Sequence, residues 1–438
     1  MQKRKNKYKF DTLQIHAGSR PDPSTGARQV PIYQNTAYVF KSILHAEALF
    51  NLQELGHIYS RLSNPTVSVL QERIATLEGG IGAICCSSGH AAQILSLFPL
   101  MQPGDNIIAS SRLYGGTIQQ LSNTIKKFGW KANFIDIDDF KAINKAADSN
   151  TKAIFCESIS NPGGHVTNLP KVAKIAKKLS IPLIVDNTAA TPYLIKPFEF
   201  GADLVIHSTT KYMSGNGTSI GGALVDSGTF NWSKNKKFPS LSEPEAGYHG
   251  LRFHDTFGPY SYIIYGIAVS MRDLGMTMAP QNAFHTLLGL ETLSLRMKQH
   301  VKNSIKIAKW LEKHPLIEKV SYAGLSSSRY AKIVKKIFPR GAGALFTIAL
   351  KDGYEACKQL VNNVELFSHV ANLGDTRSLI IHPASTIHRQ LTKKQLIKAD
   401  LATNVVRLSI GIEDPADLIN DLKQALEKRI QNKQRSMK

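Results

Sequence analysis

A lysine that follows a row of hydroxyl side chains is the first candidate for chemistry in this chain. Residues 202–222 read ADLVIHSTTKYMSGNGTSIGG, where a short apolar run predicts a strand that ends at Ser208, Thr210 and Lys211. Hydroxyls at a strand end can hold a phosphate, and a buried lysine of lowered pKa can form a Schiff base with a carbonyl compound. A lysine after a strand is usually a solvated charge, so this segment alone decides nothing.

An aspartate upstream gives the lysine a possible partner. Residues 181–185, IPLIV, form a continuous apolar run, which is typical of a strand covered on both faces, and Asp186 follows at its carboxyl end. Open α/β sheets bind their ligands at that edge. Pyridoxal 5′-phosphate (PLP) requires a carboxylate for its pyridinium nitrogen and a lysine for its aldehyde. Asp186 and Lys211 therefore predict a PLP site.

Four stretches of the chain resemble the PLP-dependent enzymes of cysteine and methionine metabolism. They occur in the family's order and read YSRLSNPT at 59–66, VDNTAATPYL at 185–194, HSTTKYMSGNGTSIGG at 207–222 and VRLSIGIED at 406–414. The similarity runs from Thr12 to Leu418, nearly the whole chain. The resemblance implies an α/β protein of the fold-type-I PLP-dependent transferase class. Such a protein has a mainly parallel central sheet with helices on both faces and a smaller α+β C-terminal domain.

The alternation of apolar runs with helical segments favours the same architecture. IGAICC, NIIAS, NFIDI, AIFCES, IPLIV and DLVIHS read as successive strands of a mainly parallel sheet. We expect an N-terminal arm at 1–62 that contacts a neighbouring subunit, a PLP-binding domain at 63–284 and a C-terminal domain at 285–438 that closes the substrate site.

Several elements of the C-terminal half are predicted from local patterns. Residues 289–300 predict one amphipathic helix that leads into the C-terminal domain, whereas residues 226–271 show little periodicity and predict a long loop. The remaining predictions are helices at 301–313, 354–363, 393–401 and 416–432 and strands at 344–350, 378–382 and 405–410.

The resemblance assigns most of the cofactor site. Tyr114 would stack on the cofactor and act as an acid towards the leaving group, and Asn161 would donate to the phenolic oxygen. The phosphate would be bound by Gly89, His90, Ser208 and Thr210, and by Tyr59 and Arg61 of a neighbouring subunit. Many relatives carry methionine or glutamine where this chain has His90, but a helix N-terminus binds phosphate through its backbone, so we expect the change to be tolerated.

The resemblance also assigns a substrate site. Arg407 lies inside an apolar strand, where an isolated charge is costly, and the family uses this position to bind the α-carboxylate of an amino acid. Ser378 and Asn161 would lie beside it. Without the resemblance, Tyr59 and Arg61 would be interpreted as surface side chains before a helix. His369, His382 and His388 have no metal-ligand spacing, and we expect no metal.

Two positions bear on which branch of the family the chain is most similar to. Gly116 stands where methionine γ-lyases tend to have cysteine, and Arg377 precedes Ser378 where cystathionine enzymes tend to have glutamate. The O-acetylhomoserine sulfhydrylase branch is the best match, and it implies γ-replacement by sulfide or methanethiol. Cystathionine γ-synthase, O-succinylhomoserine sulfhydrylase and methionine γ-lyase activities remain alternatives. A non-catalytic PLP carrier is disfavoured because Lys211, Tyr114 and Arg407 are all present.

Composition excludes several classes of protein. The chain has 438 residues, 42% of them hydrophobic, and no apolar run reaches the ~18 residues that span a membrane. The formal net charge of +21 is concentrated at the two ends, which lack the interleaved aromatic residues of a stacking surface, so a nucleic-acid binder is a disfavoured alternative. The four cysteines form no paired motif, and we expect a cytoplasmic enzyme.

The family implies at least a dimer with shared active sites, and a tetramer as a pair of dimers.

Overall fold

The computed structural model describes residues 7–162, 164–233, 236–389, 396 and 401–436. Within these residues the strands form a seven-stranded sheet and a five-stranded sheet. The strands are β1 (Gly82–Cys86), β2 (Asn106–Ser110), β3 (Lys131–Ile135), β4 (Thr151–Glu157), β5 (Leu183–Asp186), β6 (Leu204–Ser208), β7 (Gly222–Asp226), β8 (Ile317–Ser321), β9 (Leu345–Leu350), β10 (Ser368–His369), β11 (Leu379–Ile381) and β12 (Val405–Ser409).

The larger sheet is mainly parallel, as predicted. Its order is β1-β7-β6-β5-β4-β2-β3, and among its described strands β7 alone runs in the direction opposite to the other six. Alternate residues face two separate apolar cores: Val205 belongs to one, and Leu204 and Ile206 belong to the other. Both faces are therefore covered, which is why these strands are continuous apolar runs. Strand β7 is a short run directly after a glycine-rich loop, and it was not predicted from the sequence.

Helices flank both sheets. They are α1 (Phe10–His16), α2 (Ile43–Phe50), α3 (Pro65–Glu78), α4 (Gly89–Leu97), α5 (Gly115–Gln119), α6 (Phe140–Ala146), α7 (Leu169–Leu179), α8 (Thr191–Leu194), α9 (Pro239–Ser242), α10 (Phe253–Phe257), α11 (Ser261–Tyr265), α12 (Arg272–Leu274), α13 (Pro280–Glu291), α14 (Leu293–Glu312), α15 (Ala331–Ile337), α16 (Gly353–Asn363) and α17 (Pro415–Ser436). In the described part of the chain no helix is both long and apolar enough to cross a membrane.

Helix α3 follows its local signals. The Asn64 side chain accepts a hydrogen bond from the backbone N–H of Thr66, Pro65 occupies the first turn, and Gly79 ends the helix with a left-handed φ of 85°. The predicted stripe of Leu70, Ile74 and Leu77 is fully buried.

The smaller sheet, of order β10-β11-β12-β9-β8, carries Arg407 on β12. Helices α14 and α16 pack against it through β8 and β9. The two sheets fall in the two segments expected from the sequence, although the boundaries at 62 and 284 stay a prediction. The predicted helix at 393–401 lies outside the described residues except for positions 396 and 401.

Two predictions for the C-terminal half are wrong. The helix predicted at 289–300 is interrupted, because α13 ends at Glu291, Thr292 has non-helical angles and α14 begins at Leu293. Within 226–271, the described residues from Pro239 onwards form a series of short helical segments rather than a loop. Aromatic side chains of 226–271, including Trp232, Phe238 and Phe253, are fully buried in one of the two cores, so burial orders a segment that has no regular periodicity.

Because β7 is antiparallel, Asp226 lies at the opposite edge of the sheet from Asp186. It pairs in register with Gly82 and Leu204, the first residues of β1 and β6. One carboxylate oxygen accepts a hydrogen bond from the N–H of Gly228 at 2.9 Å, and the other is buried with no hydrogen-bond partner among the residues described. Burial raises the pKa of Asp226 to about 7.

We expect Asp226→Asn to stabilise the protein more at high pH than at low pH. The pKa of Asp226 is about 7 in the folded chain against an ordinary 3.8, so the folded state keeps a proton that the unfolded state loses. With respect to this group the folded chain has its full stability below the ordinary pKa of 3.8. The free energy of unfolding then falls as the pH rises to the folded pKa of about 7. The advantage of the variant in free energy of unfolding should therefore grow by roughly 2 kcal/mol between about pH 5 and about pH 8 in urea denaturation.

The control is Asp417→Asn, which changes an exposed carboxylate in the first turn of α17. Its free energy of unfolding should differ from that of the wild type by the same small amount at both pH values. An Asp226→Asn advantage that is equal at both pH values would contradict the raised pKa.

Candidate active site

A cavity of about 260 Å³ opens at the carboxyl ends of β4, β5 and β6, and β12 of the smaller sheet reaches it from the other side. Nine of the residues singled out from the sequence line it: Gly89, His90, Tyr114, Asn161, Asp186, Ser208, Thr210, Lys211 and Arg407. Asp186 and Lys211 thus share one cavity. Among the described residues, no group of His, Cys, Asp or Glu is arranged to hold a metal ion.

Lys211 is an amine of lowered pKa. It lies three residues after the end of β6, and its Nζ donates a hydrogen bond to Oδ1 of Asn372 at 2.6 Å. Burial, helped by the positive charge of Arg407, lowers the pKa of Lys211 to about 8. At pH 7 about a tenth of the amine is therefore neutral, far more than for an ordinary lysine, and only a neutral amine can attack an aldehyde or take up a proton.

Asp186 is a carboxylate that lacks a cation. Its Oδ1 accepts a hydrogen bond from the N–H of Thr188 at 2.9 Å, and burial raises its pKa above the usual value despite this bond. It forms no ion pair with any described side chain. A cationic ring nitrogen placed against it would stabilise the ionised form.

The start of α4 approaches the end of β6 closely. The side chain of Ser88 caps the helix by accepting from the N–H of Ala91, and a Cβ on Gly89 would lie 2.8 Å from the Cβ of Ser208. Glycine is therefore required at this position. The first backbone N–H groups of a helix have no carbonyl partner within it and can bind an anion.

The hydroxyl of Thr210 lies beside this helix start in the cavity lining. It donates to the carbonyl of Gly221 at 3.2 Å and accepts from the N–H of the same residue at 3.0 Å. Free amides, hydroxyls, a carboxylate and an amine that line one cavity match the phosphate, ring nitrogen and aldehyde of PLP. The residues present fit this cofactor.

Arg407 is a buried cation that pairs with no carboxylate among the described residues. Its guanidinium donates to Oδ1 of Asn161 at 3.1 Å and to the carbonyl of Asn372 at 2.6 Å, and its Nε has no partner among the described residues. Burial lowers its pKa to about 10, so it stays charged at neutral pH. A buried charge with neutral partners and a spare donor is suited to an anionic ligand.

Two contacts of the site were not foreseen from the sequence. Asn372, in the loop between β10 and β11, bonds to both Lys211 and Arg407. Glu157, the last residue of β4, accepts from the N–H groups of Tyr114 and Asn161. Glu157 could have been singled out from the sequence, because it ends an apolar strand four residues before Asn161–Pro162. No local pattern in the sequence distinguishes Asn372.

The structure does not bring three predicted residues into the cavity of this protomer. Ser378 is fully buried, where its hydroxyl donates to Glu413 at 3.0 Å and accepts from the N–H of Gly411 at 2.8 Å. Tyr59 is exposed, and the guanidinium carbon of Arg61 lies 5.7 Å from the centre of its ring. A role for Tyr59 and Arg61 in the site of a neighbouring subunit stays a prediction.

Comparison with known proteins identifies the family. The model for Cys/Met metabolism PLP-dependent enzymes matches residues 11–427. An O-acetyl-L-homoserine sulfhydrylase of Leptospira meyeri is 45% identical over 428 residues, covering 96% of this chain and 97% of the relative. A homocysteine synthase of Schizosaccharomyces pombe is also 45% identical, over 95% of this chain and 98% of the relative.

A solved structure shows the same fold with its cofactor. The Campylobacter jejuni protein, described as an O-acetylhomoserine (thiol)-lyase with N′-pyridoxyl-lysine-5′-monophosphate, superposes with a TM-score of 0.94 at 45% identity, covering 96% of this chain and all of that one. Fold and cavity define a fold-type-I PLP-dependent protein. The chain belongs to the Cys/Met metabolism PLP-dependent enzymes, and PLP is its cofactor.

Two aromatic rings close over Gly116. The rings of His90 and Tyr114 have centroids 5.9 Å apart. A Cβ added at Gly116 would lie 2.5 Å from Cε1 of Tyr114 and 2.9 Å from Cε1 of His90. Methionine γ-lyases tend to have cysteine at this position. In this chain the lack of a side chain at Gly116 leaves room for both rings.

We expect Gly116→Ala to lower kcat/KM by about 10- to 100-fold, because one of the two rings must move and small displacements of catalytic groups are costly. The control is Gly247→Ala, since a Cβ there meets only Glu245 at 3.5 Å. Steady-state kinetics and the near-UV circular dichroism of bound PLP would measure the effect. Wild-type values for Gly116→Ala would show that the two rings have room for a side chain.

Proposed function

We propose that this enzyme replaces the acetate of O-acetyl-L-homoserine with sulfide or methanethiol, giving L-homocysteine or methionine and acetate. The observation that carries the proposal is Arg407, a buried cation that shares a cavity with Lys211 and Tyr114 and pairs with no carboxylate in the described part of the chain. The names of the relatives support the same reaction.

The cavity would hold PLP through the amides of Gly89 and His90, the hydroxyls of Ser208 and Thr210, and Asp186. When bound, PLP withdraws electrons from the α-carbon of an amino acid. Arg407 binds the α-carboxylate of the substrate with paired N–H donors and so fixes the amino acid in one orientation.

Lys211 moves protons. Because its pKa is lowered to about 8, it can take a proton from Cα of the substrate and act again at Cβ. Asn372 holds its Nζ at 2.6 Å until a ligand enters. Tyr114 acts as an acid towards the departing acetate. Loss of acetate from Cγ and addition of the thiol at the same carbon complete the replacement.

We propose a dimer with shared active sites as the smallest active unit, and a tetramer of two such dimers, located in the cytoplasm. The arm at 1–62 exposes a row of large apolar side chains, which a single soluble protomer rarely leaves uncovered. They are Val39, Ile43, Leu44, Phe50 and Leu55. A second copy of the chain would cover this surface and bring Tyr59 and Arg61 to the phosphate of the other protomer.

We expect Lys211→Ala to abolish both the visible absorbance of lysine-bound PLP and the formation of homocysteine from O-acetyl-L-homoserine and sulfide. The lysine provides the covalent bond and the proton transfer, so both should be lost together. Purified protein would be assayed with PLP, sulfide and each of the acetyl and succinyl esters. Lys298→Ala, at an exposed lysine, is the control. A Lys211→Ala protein that keeps both properties would disprove the assignment.

The same assay tests the alternatives. Homocysteine from the acetyl ester at a much higher kcat/KM than from the succinyl ester is expected. Faster turnover with cysteine as acceptor, or α-ketobutyrate formed without an acceptor, would instead indicate a cystathionine γ-synthase or a γ-lyase.

We expect two inactive variants to complement each other if active sites are shared. Arg61→Ala removes a residue that a protomer would contribute to the active site of its neighbour. Lys211→Ala removes a residue of the protomer's own active site. After denaturation and refolding of an equal mixture, about one quarter of the wild-type activity should return, since half of the dimers are mixed and each mixed dimer has one intact site. No recovery, with mixed dimers demonstrated by mass, would contradict a shared site.

A further inference from the structure

Glu157 is a buried carboxylate at the centre of the candidate site. It ends β4, pairs in register with Asp186 of β5 and lines the cavity while only 6% of it is exposed. Two acidic side chains thus end adjacent strands. Such a pair is unfavourable unless each carboxylate has specific partners.

Both carboxylate oxygens of Glu157 have a partner, and the two partners lie on different segments of the site. Oε1 accepts from the N–H of Tyr114 at 2.7 Å, and Oε2 accepts from the N–H of Asn161 at 2.8 Å. Tyr114 precedes α5, whereas Asn161 follows β4. The side chain of Glu157 therefore connects Tyr114 to Asn161, and Asn161 in turn contacts Arg407.

The charges around Glu157 come from several elements. Asp186 on β5 is its negative neighbour, and Lys211 after β6, Arg407 on β12 and His90 on α4 face the same cavity. Burial and then the charge of Asp186 raise the pKa of Glu157, and the two backbone N–H groups oppose this. A cation bound in the cavity would stabilise both carboxylates in their ionised form.

We propose that Glu157 is a positioning residue that holds Tyr114 and Asn161 against the end of β5, and that its charge adds to that of Asp186 in favouring the protonated form of bound PLP. The kinetic part of this inference rests on the proposed function. The part that concerns PLP rests only on family membership.

Two variants separate the bonds from the charge. Glu157→Gln removes the charge and, because an amide has one acceptor oxygen, leaves one of the two N–H groups without a partner. Glu157→Asp keeps the charge but is one methylene shorter, so it cannot reach both N–H groups. Asp226→Asn is the matched control, since it neutralises a buried carboxylate at the opposite edge of the same sheet.

The measurements are a pH titration of the absorbance of bound PLP and steady-state kinetics. For Glu157→Gln we expect the spectral midpoint to move about one pH unit lower, because removal of a nearby negative charge weakens proton binding. We expect kcat to fall about 10- to 100-fold in both variants, with a smaller change in KM, because Tyr114 and Asn161 are displaced. Glu157→Asp and Asp226→Asn should keep the wild-type midpoint.

A wild-type midpoint and a wild-type kcat in Glu157→Gln would overturn the proposal. If that variant does not retain PLP, Glu157→Asp decides: a reduced kcat at an unchanged midpoint supports positioning, and a wild-type kcat refutes it. Failure of the wild-type enzyme to form homocysteine would refute the proposed reaction, while the spectral shift would still test the role of Glu157.

Discussion

Three charged groups without ion-pair partners among the described residues are buried in one cavity of this protein. Lys211, Arg407 and Asp186 are removed from water at the same place, yet none of them forms an ion pair with a described side chain. Desolvation of an ion costs several kcal/mol unless it is compensated. Amide groups hold these ions instead: Asn372 bonds to Lys211 and Arg407, and Asn161 bonds to Arg407. The compensating charges must come from ligands, and PLP with an amino acid supplies all of them.

The sheet topology explains why these charges converge. Strands β4, β5 and β6 are parallel neighbours, so Glu157, Asp186 and the residues after Ser208 end at one edge. Because β7 is antiparallel, Asp226 lies at the opposite edge of the sheet and does not line the cavity. The smaller sheet brings Arg407 on β12 to the cavity. The strand ends of the larger sheet, where ligands of such sheets bind, therefore face a cation that can bind a substrate.

The parts of the site that follow from local chemistry could be predicted from the sequence. Asp186 ends one recognisable apolar strand and Lys211 closely follows another, and the covered faces of β5 and β6 explain that pattern. The contacts of Asn372 could not be predicted, because they join a loop of the smaller sheet to two distant strands. Ser378 was expected beside Arg407, yet its hydroxyl bonds to Glu413. The break at Thr292 was missed because both flanking helices share one apolar pattern.

The most direct test of the central claim is a crystal structure of the protein with PLP. We expect continuous electron density from Nζ of Lys211 to the cofactor, with the pyridine nitrogen within hydrogen-bond distance of the Asp186 carboxylate. Density that joins the cofactor to another lysine, or a ring nitrogen that faces away from Asp186, would contradict it.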